Sequence, residues 1–235
     1  MERRKEHMPI ELFGYILNFP IWYNFLPGHL FGEAFLHPDL LEIIDIAKEK
    51  GKLFGFSTNA LSMSPERLKE VIERGLGWMV ISNHIPVALK WYQYIIDTYP
   101  NFPVVLRDME NKHDWGGQIE ETKSKSLRKT MDSFAPDQSD RKDCIFHYFN
   151  LASINAQGEV LACSVDTEGE SSMGNIKDFT PEQFAALKND KVISLCKNCP
   201  MNTSVKELEN YELRTYLRAQ KILNYLDIKL NSELD

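Results

Sequence analysis

The residues best suited to chemistry are four cysteines, all beyond residue 143. They run Cys144, Cys163, then Cys196-Lys197-Asn198-Cys199-Pro200. A C-x2-C pair lets two thiolates reach one metal centre from a single turn. Four thiolates complete the ligand set of a [4Fe–4S] or [2Fe–2S] cluster, and equally that of a structural zinc. Zinc more often shows two tight pairs, and only one is tight here. Cysteines that merely pack, or pair as a disulfide, are the remaining readings.

Other elements must bring these thiols together. Phe149 to Ile154, the turn Asn155-Ala156-Gln157-Gly158, and Glu159 to Cys163 read as a hairpin with glycine in its turn. Thr180-Pro181-Glu182-Gln183 carries a capping-box pattern and opens a short helix. A further helix is expected from Ser204-Glu207 to about Ile228, with Leu213, Tyr216, Leu217 and Leu223 on one docking face.

The first 108 residues have a different rhythm. Pro9 to Leu17 reads as a helix, and His29 to Phe31 as a short apolar run ending in Gly32-Glu33. Helix Pro38 to Lys50, strand Leu53 to Ser57, a helix opened by Ser64-Pro65 and closed by Gly75, and strand Trp78 to Ser82 come next. Helix Pro86 to Tyr99 and strand Val104 to Leu106 complete the series. Alternation of this length implies a parallel sheet with crossover helices, whose ligands lie at the carboxyl ends of the strands. Those ends carry Gly32-Glu33, Ser57-Thr58-Asn59, Ser82-Asn83 and Arg107-Asp108. Any such fold places polar residues in those loops; their recurrence here marks the region as a candidate site. Residues 109–143 are charged and serine-rich and read as a connector, with one motif, His113-Asp114-Trp115-Gly116-Gly117. Trp115 reads as a packing residue between the two parts. The six histidines share no metal-ligand spacing and read as surface or loop residues.

A net charge of −7 without a basic patch argues against nucleic-acid binding. The apolar stretch Leu12 to Leu36 is broken by Pro20, Pro27, Asn18, Asn24 and His29, so no signal peptide or membrane span is expected. A cytoplasmic location is the expectation, and reduced thiols there favour a metal or cluster over a disulfide.

Together, Gly32 through Leu40, the strand end Ser57-Thr58-Asn59 and the strand Trp78 to Asn83 resemble radical S-adenosylmethionine (radical SAM) enzymes. In that family a Gly-Glu-Pro motif meets the amino group of S-adenosylmethionine. Gly32 and Glu33 match it, with Ala34 in place of proline, and Asn83 stands where aspartate is common. The resemblance implies a cofactor site of Gly32, Glu33, Ser57, Asn59 and Ser82. The tail resembles the SPASM/twitch extension: Cys144, Gly158 and Cys163, then Gly174-Asn175-Ile176 and Cys196-x2-Cys199-Pro200. With four cysteines it is nearer the twitch form, which implies one auxiliary [4Fe–4S] cluster held by Cys144, Cys163, Cys196 and Cys199, with zinc as the alternative.

The family's C-x3-C-x2-C motif is not in this sequence, and His7-Met8-Pro9 resembles the segment just beyond the loop that carries it. The expectation is a partial (β/α) barrel of radical SAM type over residues 1–108, with the family's first strand missing and an unpaired edge near Leu30 and Phe31. A connector spans 109–143, and an iron–sulfur lobe with a C-terminal helix spans 144–235. The chain then reads as a truncated form of an enzyme for radical oxidation or modification of a peptide or small molecule. On its own it is expected to be inactive in radical generation, with S-adenosylmethionine as cofactor only where the N-terminal motif is present. An electron-donor protein is an expected partner. Arg107, Asp108 and Asp114 are the candidates for a substrate base. The alternative is a non-catalytic binding module stabilised by a cluster or by zinc.

Overall fold

The computed structural model describes residues 6–20, 25–28, 32–83, 85–108, 150–164 and 169–191, together with Phe146, Asp166 and Ile193. The connector and the helix expected from Ser204 lie outside these residues.

Four strands form a parallel sheet in the order β1-β2-β3-β4: β1 Phe25–Pro27, β2 Leu53–Thr58, β3 Trp78–Asn83 and β4 Val104–Asp108. Helices α2 (Leu40–Glu49), α3 (Pro65–Arg74) and α4 (Pro86–Thr98) are the crossovers that parallel pairing requires. All three bury into one face of the sheet. Leu40, Ile43, Ile44 and Ala47 of α2, Leu68 and Val71 of α3, and Ala88 and Ile95 of α4 share a core with Phe54, Phe56, Met79 and Ile81. Sequential strand order with every helix on one side is the winding of a barrel segment. Phe56 meets Phe35 edge-on at 5.3 Å and lies 6.2 Å from Phe54, an arrangement aromatic quadrupoles favour.

Local signals explain the boundaries. The Ser64 hydroxyl accepts from the Arg67 N–H at 3.1 Å, Pro65 fills the first turn of α3, and Gly75 closes it at φ 111°. One strand was not read from the sequence. The first strand of this sheet is Phe25–Pro27, ahead of His29 to Phe31, which lie outside the described residues. The ladder continues through the Gly28 N–H, which donates to the Gly55 carbonyl at 2.7 Å. Pro27 reads as a breaker in sequence, but an edge strand tolerates it because one side of its backbone needs no ladder donor. Among the described residues the edge is proline-marked, a feature that discourages edge-to-edge pairing.

A second, antiparallel sheet holds β5 (Ser153–Ile154), β6 (Glu159–Leu161) and β7 (Ser172–Asn175). The hairpin lies where the sequence places it. Asn155 Oδ1 accepts from the Gln157 and Glu159 N–H groups at 3.0 and 2.9 Å, and Gly158 adopts φ 84°. Helix α5 (Pro181–Ala185) opens with the reciprocal Thr180–Gln183 capping box. Strand β7 was not legible: Ser-Met-Gly-Asn offers almost no apolar alternation.

The two sheets share helix α1 (Ile10–Ile16). Its Phe13, with Leu17 just beyond, joins the core of the parallel sheet. Leu12 and Ile16, with Phe19, form a separate cluster with Val160 and Ile176. Residues four apart fall on one helix face, so one short helix serves two cores. No helix among the described residues is long and apolar enough to cross a membrane.

Candidate functional site at the strand ends

Side chains alternate across a strand, and this sorts the candidate residues. Phe54, Phe56 and Thr58 share the parity that faces the helices, which leaves Gly55 and Ser57 on the opposite face. Likewise Met79 and Ile81 face the helices, so Trp78, Val80 and Ser82 face away. Ser57 pairs with Val80, and Ser82 lies two residues further along. The two serines thus open on the same, helix-free face, Ser57 half-buried and Ser82 buried. On that face the ring of Trp78 lies across Gly55, where a Cβ would come within 2.2 Å of it.

Gly32 adopts φ 127°, a conformation costly for any other residue. It delivers Glu33 to the start of a 3₁₀ turn, Ala34–Leu36. Ala34 occupies the first position of that turn, where the family's proline would also fit. The Glu33 carboxylate is fixed from two sides. Oε1 accepts from the Thr58 hydroxyl at 2.7 Å and from the Phe35 N–H at 3.3 Å, and Oε2 accepts from the Asn59 N–H at 2.9 Å. A carboxylate offers about four acceptor positions, so three bonds orient it and leave capacity for an incoming ammonium.

Thr58 is the residue that sequence reading missed. It is 2% exposed, and its oxygen also accepts from the Ala60 N–H at 2.9 Å. Its hydroxyl proton is therefore committed to Glu33. Ala60 itself sits at φ 64°, unusual for a residue with a Cβ. Asn59 Oδ1 accepts from the Leu61 N–H at 2.9 Å, which completes a tight loop. The signal was present as Ser-Thr-Asn at a strand end. What could not be read is that the middle residue faces Glu33.

His37 does more than a loop residue. Its Nδ1 accepts from the Asp39 N–H at 3.1 Å, which leaves Nε2–H to donate to the Met8 carbonyl, also at 3.1 Å. Burial pushes its pKa below the ordinary value; nearby His7 adds to this, and the Met8 carbonyl and Asp39 oppose it. Arg107 pairs with Ser82 in the β3–β4 register and is exposed, and Asp108 pairs with Asn83. His113, Asp114 and Trp115 lie outside the described residues.

The fold resembles that of BtrN. Selenomethionine BtrN in an open conformation superposes with a TM-score of 0.53 at 18% identity, over 82% of this chain and 80% of that one. BtrN in complex with AdoMet and 2-DOIA gives 0.57 at 18% identity, over 84% and 78%. At this identity the likeness is one of fold. No protein-family model and no curated protein matches the chain.

Of the four cysteines only Cys163 is among the described residues; it is buried just after β6. Cys144, Cys196 and Cys199 lie outside them, and no group of three His, Cys, Asp or Glu side chains gathers among the described residues. Buried Asp166 accepts from the Gly169 N–H at 3.0 Å and from both the N–H and hydroxyl of Ser171 at 2.7 Å, which closes the loop after Cys163. Asn189 brings together Phe146, two residues after Cys144, and Ala162, the neighbour of Cys163, through Nδ2 bonds of 3.3 and 2.6 Å to their carbonyls. In sequence Asn189 is seven residues before Cys196. Asn189 thus ties Phe146 to Ala162, beside Cys163, while Cys144, Cys196 and Cys199 lie outside the described residues.

Proposed function

We propose that this chain is a radical SAM-type iron–sulfur protein, acting on a small molecule or peptide by radical oxidation or modification. The observation that carries this reading is Glu33, held by Thr58 and Asn59 at the strand ends of a sheet that resembles BtrN, whose complex contains AdoMet. In the proposal Glu33 receives the amino group of S-adenosylmethionine, Gly32 lets the backbone approach it, and Ser57, Asn59 and Ser82 line the adjoining face. Cys144, Cys163, Cys196 and Cys199 would hold one auxiliary [4Fe–4S] cluster, which supplies an electron acceptor or a substrate-binding iron. Radical generation needs a second cluster with an open iron, on the C-x3-C-x2-C segment that these 235 residues do not contain. The 235-residue polypeptide is therefore expected to bind the cofactor without cleaving it.

Two measurements on anaerobically purified protein test the proposal. Titration calorimetry should show S-adenosylmethionine binding, weakened about 10- to 100-fold by Glu33→Gln, as expected for loss of a charge-assisted hydrogen bond. Equal affinity of the two proteins, with unchanged circular dichroism, would remove Glu33 from the site. Iron, sulfide and zinc counts decide the second centre. About four irons and four sulfides per chain fit the cluster, and one zinc without sulfide would favour the structural alternative.

A further inference from the structure

His37 joins four segments of the sheet half. Its N–H donates to the Ala34 carbonyl at 3.0 Å and closes the 3₁₀ turn that Glu33 opens. Its Nε2–H donates to the carbonyl of Met8, 29 positions earlier and just ahead of α1. Its Nδ1 accepts from the N–H of Asp39, the residue before α2. Its carbonyl accepts from Arg67 Nη2 at 3.4 Å, in the first turn of α3. Met8 packs against both buried clusters, so the far end of the imidazole bond is itself anchored.

One form of the ring satisfies both nitrogens. Nδ1 must offer a lone pair and Nε2 a proton, which is the neutral Nε2–H tautomer. A second proton would sit on Nδ1, facing the Asp39 N–H, and that bond would be lost. The charged and titratable groups around the ring come from every segment it joins. His7, beside Met8, meets it edge-on at 4.9 Å; Asp39 stands at the head of α2, Arg67 reaches its carbonyl from α3, and Glu33 opens its turn. Burial lowers the His37 pKa, the Met8 carbonyl opposes this, and His7 and Asp39 add smaller effects, lowering and raising.

We propose that neutral His37 is a positioning residue for Glu33: it pins the Glu33 turn to the start of α1, and S-adenosylmethionine affinity falls when the ring gains a proton. The inference rests on the cofactor reading of Glu33 above. His37 touches no ligand in it and acts through the turn. Phe35 holds the middle of that turn in the core, edge-on to Phe56, and its N–H bonds the Glu33 carboxylate. The imidazole holds the other end. A binding group must stay within about 0.5 Å of its productive place, so loosening at His37 is felt at the carboxylate.

The test titrates the full chain and four variants with S-adenosylmethionine across the pH range. His37→Ala removes both ring bonds. His37→Gln keeps one acceptor and one donor but takes no proton, and it also reports any titration of the ligand itself. His7→Gln removes the neighbouring ring. Val71→Ala opens space in the same buried core and controls for general destabilisation. At about pH 7.5, His37→Ala should bind about five- to tenfold more weakly, and His37→Gln should recover most of that loss. On acidification to about pH 5.5, wild type and His7→Gln should lose affinity relative to His37→Gln. In cofactor-free protein, the Phe35 and Asn59 amides, which both donate to Glu33, should exchange faster in His37→Ala while β3 stays protected. Wild-type affinity in His37→Ala, an equal loss in Val71→Ala, or the same acid profile in His37→Gln as in wild type would each overturn the proposal. So would a profile abolished by His7→Gln, which would assign the titration to His7. Wild type that binds no S-adenosylmethionine would overturn the cofactor reading and the affinity claim together; the exchange arm would then decide by itself whether His37 anchors the turn, and unchanged exchange would remove it.

Discussion

The parallel sheet and the cysteine lobe are held together by different physics. The sheet and its helices enclose 18 buried apolar residues in one cluster. The lobe's cluster has five, and Leu12, Ile16 and Phe19 of these come from α1 and the turn after it. From the described part of the lobe, Val160 and Ile176 join that cluster, and Leu161 and Ala162 are also buried. Its order comes instead from side chains bonded to backbone: Asn150, Asn155, Asp166, Asn175, Thr180 and Asn189. Each such bond adds only about 1 kcal/mol net. A unit with a small apolar core gains from external support. Two supports are in view here: the docked face of α1 and the proposed metal.

The largest blow to this contrast should come from Phe56→Ala. Phe56 is fully buried among Phe35 and Phe54, and its truncation is expected to cost about 3–5 kcal/mol in urea unfolding. Because α1 belongs to both cores, the lobe should lose protection in the same transition. A lobe that keeps its hydrogen-exchange protection while the sheet melts would show that it stands alone. Ile16→Ala should act more locally. Ile16 is 7% exposed, so a cost near the lower end of about 2–5 kcal/mol is expected. Amides of β6 and β7 should exchange faster while those of β2 and β3 stay protected. Equal loss in both sheets would erase the distinction between the two cores.

The smallest effect is a pH dependence confined to the sheet half. His37 has its pKa lowered in the folded chain, chiefly by burial. The native state then binds fewer protons than the unfolded chain below pH 6.5, so the stabilisation is complete above that value and is lost as pH falls from there through the lowered folded value. Melting temperature should fall on acidification from about pH 7.5 to about pH 5, and His37→Gln should flatten that slope. An unchanged slope in the variant would remove His37 as its cause.

Much of the sheet half was legible because its signals are local and strong. Ser64-Pro65 and Gly75 bound α3, and the apolar spacing of Leu40, Ile43, Ile44 and Ala47 defines the buried face of α2. Strand β1 was not legible because Pro27 breaks most strands, and its place at the sheet edge excuses it. Of the candidate site, Gly32, Glu33, Ser57, Asn59 and Ser82 were chosen by the family resemblance from residues the pattern places at strand ends. Thr58 could not, since its value depends on the 2.7 Å approach to a carboxylate 25 positions earlier.

The sequence alone determined the alternation of helix and strand, the caps, the hairpin turn and the Gly32-Glu33 turn, because each depends on residues within a few positions of one another. The tertiary structure decided which pairs meet: Glu33 with Thr58, Asn150 with Asn189, and α1 with two cores at once. These contacts join residues 25 to about 160 positions apart. Their geometry comes from the packing of whole elements, which no local pattern records.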